Sequence, residues 1–340
     1  MLCLGHERLQ VFFYMRVTMK IENRILKIKK SIKHRLSSAV TRKVDHPQLN
    51  KCKLVMTLLV KNEVDIVRQN IEFHLRHGVD YIIATDNISD DGTYEILKEF
   101  EKMGVLYLIQ EKEQDYDQAK WVNRMGRIAL DQFGANIIFH CDADEFWYSK
   151  SGDLKNELLS NPLIDILNIE VINVLLEDKN MSERFPADAK YVVENPIIPK
   201  DRREESRNVP FFLFRCTSAV MYRLNGKYLN VSQGNHRVIE RKYYVSRKST
   251  DIIIYHFPIR GKSSFFSKVV LGGAALERNT ALNSNKGWHW RRWYNFYKKG
   301  ELEQEYQKLN LSGDRVDEWI ARGVVVENKD LISMLGLDKI

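Results

Sequence analysis

The sequence predicts an α/β protein with a mostly parallel central sheet covered by helices on both faces. Three observations predict it: four apolar runs of strand length, helical spacing in the stretches between them, and a glycine stopping each helix. The first run, Leu54 to Val60, is continuously apolar, as a strand buried on both faces requires. Glu63 to His77 follows with Val64, Val67, Ile71 and Leu75 at helical steps, and Gly78 ends it. Val79 to Thr85 is the second strand. Asp91-Gly92-Thr93 opens a helix carrying Ile96, Leu97 and Phe100, stopped by Gly104. Val105 to Ile109 is the third strand, Asp117 to Phe133 the third helix with Gly134 behind it, and Ile137 to Cys141 the fourth strand. Such short connections between repeats of one handedness imply parallel strands.

Beyond residue 160 the pattern is coarser. Ile164–Leu176, Phe211–Arg215 and Ile252–Phe257 read as strands, and 262–279, 287–299 and 313–322 as helices. The charged stretch 177–210 reads as a long loop or lid. The expected organisation is an extension over 1–50, a main domain over 51–260 (halves 52–160 and 161–260) and a helical C-terminal part over 261–340.

Composition narrows the classes. The chain has 340 residues, 44% hydrophobic and 29% charged, ordinary for a globular protein. Its net charge of +8 is concentrated: residues 1–53 hold 13 Lys and Arg against 3 Asp and Glu, leaving 40 basic and 42 acidic residues elsewhere. A near-neutral body is not a nucleic-acid surface, so no nucleic-acid partner is expected. Within the extension, Ile21, Ile25, Ile28, Ile32 and Leu36 line one face of a basic helix over 20–38. Such a helix can lie on an anionic membrane; packing on the domain is the alternative. Val11 to Met15 is too short for a signal-peptide core, and Cys3, Cys52, Cys141 and Cys216 show no paired spacing. A cytoplasmic protein with reduced cysteines is the expectation, with peripheral membrane contact through 20–38.

Ligands of an open parallel sheet bind at the carboxyl ends of its strands. Those ends carry Asn62-Glu63, Asp86 to Asp91, and Asp142-Ala143-Asp144-Glu145. In extended backbone, Asp142 and Asp144 point the same way. Adjacent carboxylates repel and need a cation or raised pKa values, and Mg2+ or Mn2+ bridging to a diphosphate meets that need. Asp86 suits a ribose or base, whereas Asp91 reads as a helix cap. No Gly-x-Gly-x-x-Gly or Walker loop is present, which excludes dinucleotide and P-loop enzymes by motif.

Thr57-Leu58-Leu59-Val60-Lys61-Asn62-Glu63, Asp86 to Thr93, Asp117 to Asn123 and Asp142-Ala143-Asp144-Glu145-Phe146-Trp147 stand in the order and near the spacing of family 2 glycosyltransferases. The chain resembles the subgroup with the Asp-Ala-Asp-Glu-Phe-Trp form. The likeness is strong over 52–150 and weak to about 300. It implies a GT-A fold, a nucleotide-sugar donor, a glycan or glycolipid acceptor and a divalent metal. It implies, too, that Asn62 and Asp86 contact the nucleoside, that Thr57, Glu63, Gln118 and Asn123 belong to the donor site, and that Asp142 and Asp144 serve metal and diphosphate. Inversion at the anomeric carbon is the family expectation.

One departure matters. The acidic pair that usually supplies the acceptor base is missing at its place; Glu177, Asp178 and Glu240 are the weak substitutes. His236 and His256 are candidates for a further metal ligand, against the commoner reading of structural histidines. Gly287 to Tyr297 is dense in aromatics, with core packing favoured over stacking on sugars, and Gly272-Gly273 reads as a close helix contact. A nucleotidyltransferase of similar sheet and a non-catalytic binding module are the rival functions. The absence of a glycine- and lysine-rich loop after the first strand argues against the former.

Overall fold

A computed structural model describes residues 52–113, 118–176, 186, 189–278, 287–309, 311 and 314–338. The basic extension, with the helix expected over 20–38, lies outside these residues, as do Glu177 and Asp178.

The first half follows the sequence reading closely. Strands β1 (Leu54–Val60), β2 (Tyr81–Asp86), β3 (Leu106–Gln110) and β4 (Ile137–Cys141) pair in parallel in the order β3-β2-β1-β4. Helices α1 (Val67–Arg76) and α2 (Thr93–Lys102) cover one face, and α3 (Gln118–Asp131) covers the other. The continuous apolar character of β1 has its reason here. Leu54, Met56 and Leu58 join the core under α1 and α2, while Val55 joins Val122, Met125 and Ala129 of α3. Helix α1 starts at Val67 rather than Glu63, because Glu63 to Ile66 form a turn closed by Ile66 N–H and Val67 N–H on the Glu63 carbonyl. Val64, expected on the apolar stripe, is consequently exposed.

From residue 145 onward the sheet turns antiparallel. Elements β5 (Glu145–Ser149), α4 (Asn156–Leu159), β6 (Ile166–Leu176), β7 (Ala189–Val192), α5 (Arg202–Glu205), β8 (Ala219–Arg223) and β9 (Ser246–His256) follow. Strand β8 lies between β4 and β6, antiparallel to both, and β9 runs parallel to β6 while pairing antiparallel with β5. Helices α6 (Lys262–Arg278), α7 (Trp288–Lys298), α8 (Leu302–Leu309) and α9 (Asp314–Ala321) build a second core around Phe265, Trp293, Tyr306 and Trp319. The chain then returns. Strand β10 (Val326–Glu327) pairs with β7, and Leu331 of α10 (Leu331–Met334) enters the main core with Leu335 and Leu337.

Two expectations are corrected. Phe211–Arg215 is not a strand: Phe211–Leu213 form a 3-10 turn after Pro210, and only Phe214 bridges to Ile197. Its aromatic run has strand composition, yet Phe212 and Leu213 are needed in the second core, which a tight turn reaches and a strand would not. The stretch 177–210 is not wholly loop, since it contains β7 and the short α5. Among the described residues no helix is long and apolar enough to cross a membrane. Cys52, Cys141 and Cys216 are free thiols.

The Gly272-Gly273 contact resolves to one residue. A Cβ on Gly273 would lie 2.3 Å from Cβ of Tyr294, whereas one on Gly272 meets nothing within 4 Å. Gly273→Ala is therefore expected to cost about 1–3 kcal/mol by overpacking. Gly272→Ala is expected to be neutral, or stabilising by up to about 1 kcal/mol through helix propensity. Urea denaturation of the two variants checks this; equal effects would contradict the packing.

Candidate active site

The acidic turn is built where β4 ends. Glu145 N–H closes on the Asp142 carbonyl at 3.1 Å, turning the chain back into β5. Asn70, fully buried on α1, clamps this turn by donating to the carbonyls of Ala143 (3.0 Å) and Glu145 (2.8 Å). His74, one turn further along, fixes that clamp: its Nδ1 bonds the Asn70 carbonyl at 2.8 Å and its Nε2 accepts from Trp147 N–H at 3.3 Å. The imidazole is neutral, since burial pushes it down to about 3.

Pairing then delivers the distant partners. In the β5–β9 register Glu145 lies opposite His256, and in the β6–β9 register Asn173 does. Phe257 N–H donates to the Asp144 carbonyl at 2.8 Å, so the chain beyond β9 runs past the turn. His256 Nδ1–H donates to Asn173 Oδ1 at 2.7 Å, because the Asn173 amide nitrogen is taken by the Phe212 carbonyl. The Nε2 lone pair of the neutral ring then faces Asp144 Oδ1 at 3.7 Å. Burial favours that neutral form, against the pull of Asp144.

Around Asp144 lies a cage of charge. Arg260, with no exposed side-chain surface, donates to Asp65 through Nε (2.7 Å) and Nη2 (3.0 Å), to Glu63 (2.5 Å) and to Asp144 (3.4 Å). Lys268 of α6 bridges Asp144 (2.7 Å) and Glu63 (3.0 Å). Burial alone would push the Asp144 carboxyl up, but the charges of Lys268 and then Arg260 more than offset it and hold it well below the usual carboxylate range. Among the described residues no cation pairs directly with Asp142, although the charge of Lys268 reaches it. Burial, then the Asp144 charge, pushes it up to about 7 against that pull, and burial with the Asp142 and Asp144 charges raises Glu145. Three carboxyls crowd this turn with too few cations for all to ionise at once, an imbalance that protonation or a bound cation relieves.

That imbalance tests the fit of a divalent cation. Among the described residues no three His, Cys, Asp or Glu side chains stand ready as a metal cluster. The donor chemistry nevertheless fits. Asp144 is ionised, Asp142 stands two residues away in the same turn, and the His256 lone pair faces Asp144 with the far nitrogen fixed by an amide oxygen, as metal-binding histidines are fixed. One or two carboxylates completed by substrate phosphates is how Mg2+ is commonly held.

The remaining expected residues fall into two groups. Asn62 and Glu63 stand on the carboxyl edge, since β1 runs between β2 and β4. Asn62 exchanges two hydrogen bonds with Asp90, and its N–H donates to Ser89. Asp86 is buried, its Oδ2 accepts from Ser89 N–H at 3.2 Å, and its buried Oδ1 has no protein partner. Beside it Ile88 adopts φ 55°, a left-handed conformation that strains a β-branched residue by about 1–3 kcal/mol.

Other residues lie elsewhere. Thr57 is buried inside β1, its hydroxyl 2.6 Å from His140 Nδ1. Asn123 uses both donors on the Ala119 and Val231 carbonyls and its oxygen on Tyr228 and Val231, which ties α3 to the 228–231 segment and leaves no group for a ligand. Gln118 accepts from Gly234 N–H. His236 packs on that same Gly234, and Asp144 pairs with His256 instead. Glu240 accepts from Asn230, its other oxygen buried without a partner, far along the chain from the acidic turn. Sequence reasoning missed Asn70, Arg260 and Lys268. Asn70 left a signal, an amide on the apolar stripe of α1 between Val67 and His74. The two cations left none, because charge near a helix start reads as solvated.

His74 gives a pH prediction. Its folded value near 3 lies below the unfolded value of 6.5, so its stabilisation is complete above pH 6.5 and lost as pH falls toward 3. The stability margin of wild type over His74→Gln should shrink by up to about 1.4 kcal/mol per pH unit below 6.5. Paired denaturation curves at pH 7.5, 6 and 5 measure it. A margin constant across that range would mean His74 is not buried neutral.

No protein-family model matches the sequence, and no curated protein matches it. Solved structures do. A mannosyltransferase from Pyrobaculum calidifontis, solved with GDP-mannose and Mn2+, is 11% identical, covers 89% of each chain and has a TM-score of 0.39. TarS 1–349 of S. aureus, solved with UDP-GlcNAc, is 14% identical over 76% of this chain and 79% of its own, with a TM-score of 0.38. Glucosyl-3-phosphoglycerate synthase of Mycobacterium tuberculosis, with phosphoglyceric acid, is 12% identical over 55% and 58%, with a TM-score of 0.30. Likeness of this strength says nothing of chemistry, which has to come from the site.

Proposed function

We propose that the chain is a GT-A-type glycosyltransferase that moves a sugar from a nucleotide-sugar donor to a hydroxyl of a glycan or glycolipid acceptor, with inversion. One observation carries the reading. The carboxyl edge of a parallel sheet presents a crowded acidic turn, Asp142 to Glu145, in the same edge as a buried carboxylate with one unpartnered oxygen, Asp86. Asp86 would take the ribose or base, and the strained Ile88 beside it is the kind of backbone that persists at binding loops.

Asp142 and Asp144, with His256, would hold Mg2+ or Mn2+; bound there, such an ion would offset charge on the donor diphosphate. Lys268 and Arg260 keep Asp144 ionised and hold it in place at the same turn. Asn70 and His74 keep the turn from moving. In the transfer itself the bond from the anomeric carbon to the diphosphate oxygen breaks and one to the acceptor oxygen forms. The acceptor proton leaves to a base.

A thermal-shift screen of nucleotide sugars with and without Mn2+ tests the reading. A metal-dependent rise in melting temperature with one nucleotide class, followed by release of free nucleotide diphosphate, is the expected result. Binding without turnover in the presence of varied acceptors would favour a binding module. No nucleotide-dependent shift at all would refute the reading.

A further inference from the structure

The second core carries a cavity of about 490 Å³ that shares no residue with the acidic turn. Its wall is basic and aromatic: Arg203 and Arg207 from the α5 end, Trp288, Arg292 and Phe296 from α7, and Lys308 from α8. Glu305 is the carboxylate of this lining, and it is already engaged by Arg292 (3.3 Å) and by Trp293 Nε1–H (3.2 Å). Arg207 also pairs with Glu204, at 3.3 Å, but both side chains are largely exposed, where such a pair is weak.

The cations are held in place rather than left to splay. Arg292 Nη1 donates to Ser206 Oγ at 2.6 Å, and Lys308 Nζ donates to the carbonyls of Ser206 (2.9 Å) and Arg207. Arg203 stacks over Trp288 at 5.6 Å and Arg292 over Phe296 at 5.4 Å. Arg292 is committed to Ser206 and Glu305, so the guanidinium forks that could match phosphate oxygens here are those of Arg203 and Arg207. Burial, followed by the charge of Arg292, lowers the Lys308 ammonium below its ordinary value, although Glu305 opposes this.

We propose that this cavity is a binding subsite for a phosphorylated sugar, the phosphate against Arg203, Arg207 and Lys308 and the ring against Trp288. A ring face on an aromatic beside a cluster of phosphate-matching donors is what the two halves of such a ligand need. Helix α6 links the subsite to the acidic turn: its Phe265 packs on Trp293 of α7 while its Lys268 reaches Asp144. A helix is about 10 Å across, so the two places are on the order of 10–20 Å apart. On the glycosyltransferase reading, on which this role rests, the subsite grips a phosphate-bearing part of the acceptor away from the hydroxyl that reacts.

Titration calorimetry of the full chain with glucose 6-phosphate, glucose and inorganic phosphate tests it, with UDP and Mn2+ saturating so that the donor side is filled. Glucose 6-phosphate should bind more tightly than either glucose or phosphate. Arg203→Ala/Arg207→Ala, at exposed positions that leave the core intact, should weaken it about tenfold or more, and Trp288→Ala should remove the advantage over phosphate alone. Asp144→Asn should leave it unchanged. Equal affinity for glucose, indifference to the double substitution, or loss in Asp144→Asn would overturn the proposal. The two readings separate cleanly. Sugar-phosphate binding without nucleotide-sugar turnover would sink the transferase reading alone, and turnover without sugar-phosphate binding would sink the subsite alone.

Discussion

Asp144→Asn is expected to lower sugar transfer by about a thousandfold or more while the protein stays folded. Removal of one pre-aimed electrostatic group from a site of developing charge commonly costs a factor of about a hundred to a thousand. Asp144 does more than one such job: it faces the His256 lone pair, and it places Lys268 and Arg260 at the turn. Asparagine keeps the shape and one acceptor oxygen. Lys268 and Arg260 retain Glu63, and Arg260 retains Asp65, so neither cation is orphaned. Nucleotide release under saturating donor and Mn2+, with a melting curve beside it, is the measurement. Activity within tenfold of wild type would place the chemistry elsewhere.

Arg260→Leu is expected to be the most destabilising single change near the site, by about 3–5 kcal/mol. The guanidinium has no exposed surface and satisfies three carboxylates from two separate loops, Glu63, Asp65 and Asp144. Deleting it leaves Lys268 alone to balance Glu63 and Asp144, in a region where burial already raises the Glu63 carboxyl. Arg260→Lys keeps the charge but not the fork, and should fall between the two. Chemical denaturation of both variants orders them. A leucine variant within about 1 kcal/mol of wild type would show that the cage contributes little to folding.

How far the sequence could be read depended on how local each signal was. Strands β1 to β4 and their helices were legible because apolar length, helical spacing and a stopping glycine all lie within the segment itself. Strands β5, β7 and β8 were not. Glu145–Ser149 mixes acid, aromatic and hydroxyl residues, and becomes a strand through pairing with β9, about a hundred residues away. The acidic turn could be seen, because Asp142 and Asp144 sit directly behind an apolar strand. Its electrostatic partners could not, since Arg260 and Lys268 arrive only when β9 has docked. Thr57 and Asn123 misled for the complementary reason: polar residues in a matching motif also serve as core hydrogen-bond hubs, and only geometry shows which.

The docking of β9 has a consequence for how this chain can vary. His256, Arg260 and Lys268 are all carried by one strand and the stretch of chain behind it. Inserting or deleting one residue between 246 and 256 would turn Tyr255 or Phe257 toward Asp144 in place of the imidazole, because side chains alternate along a strand. The same slip would turn Ile252 and Ile254 out of the core, so packing and chemistry fix the same register. Length in this short interval, more than the identity of any surface residue on it, is what descendants of this sequence must inherit intact.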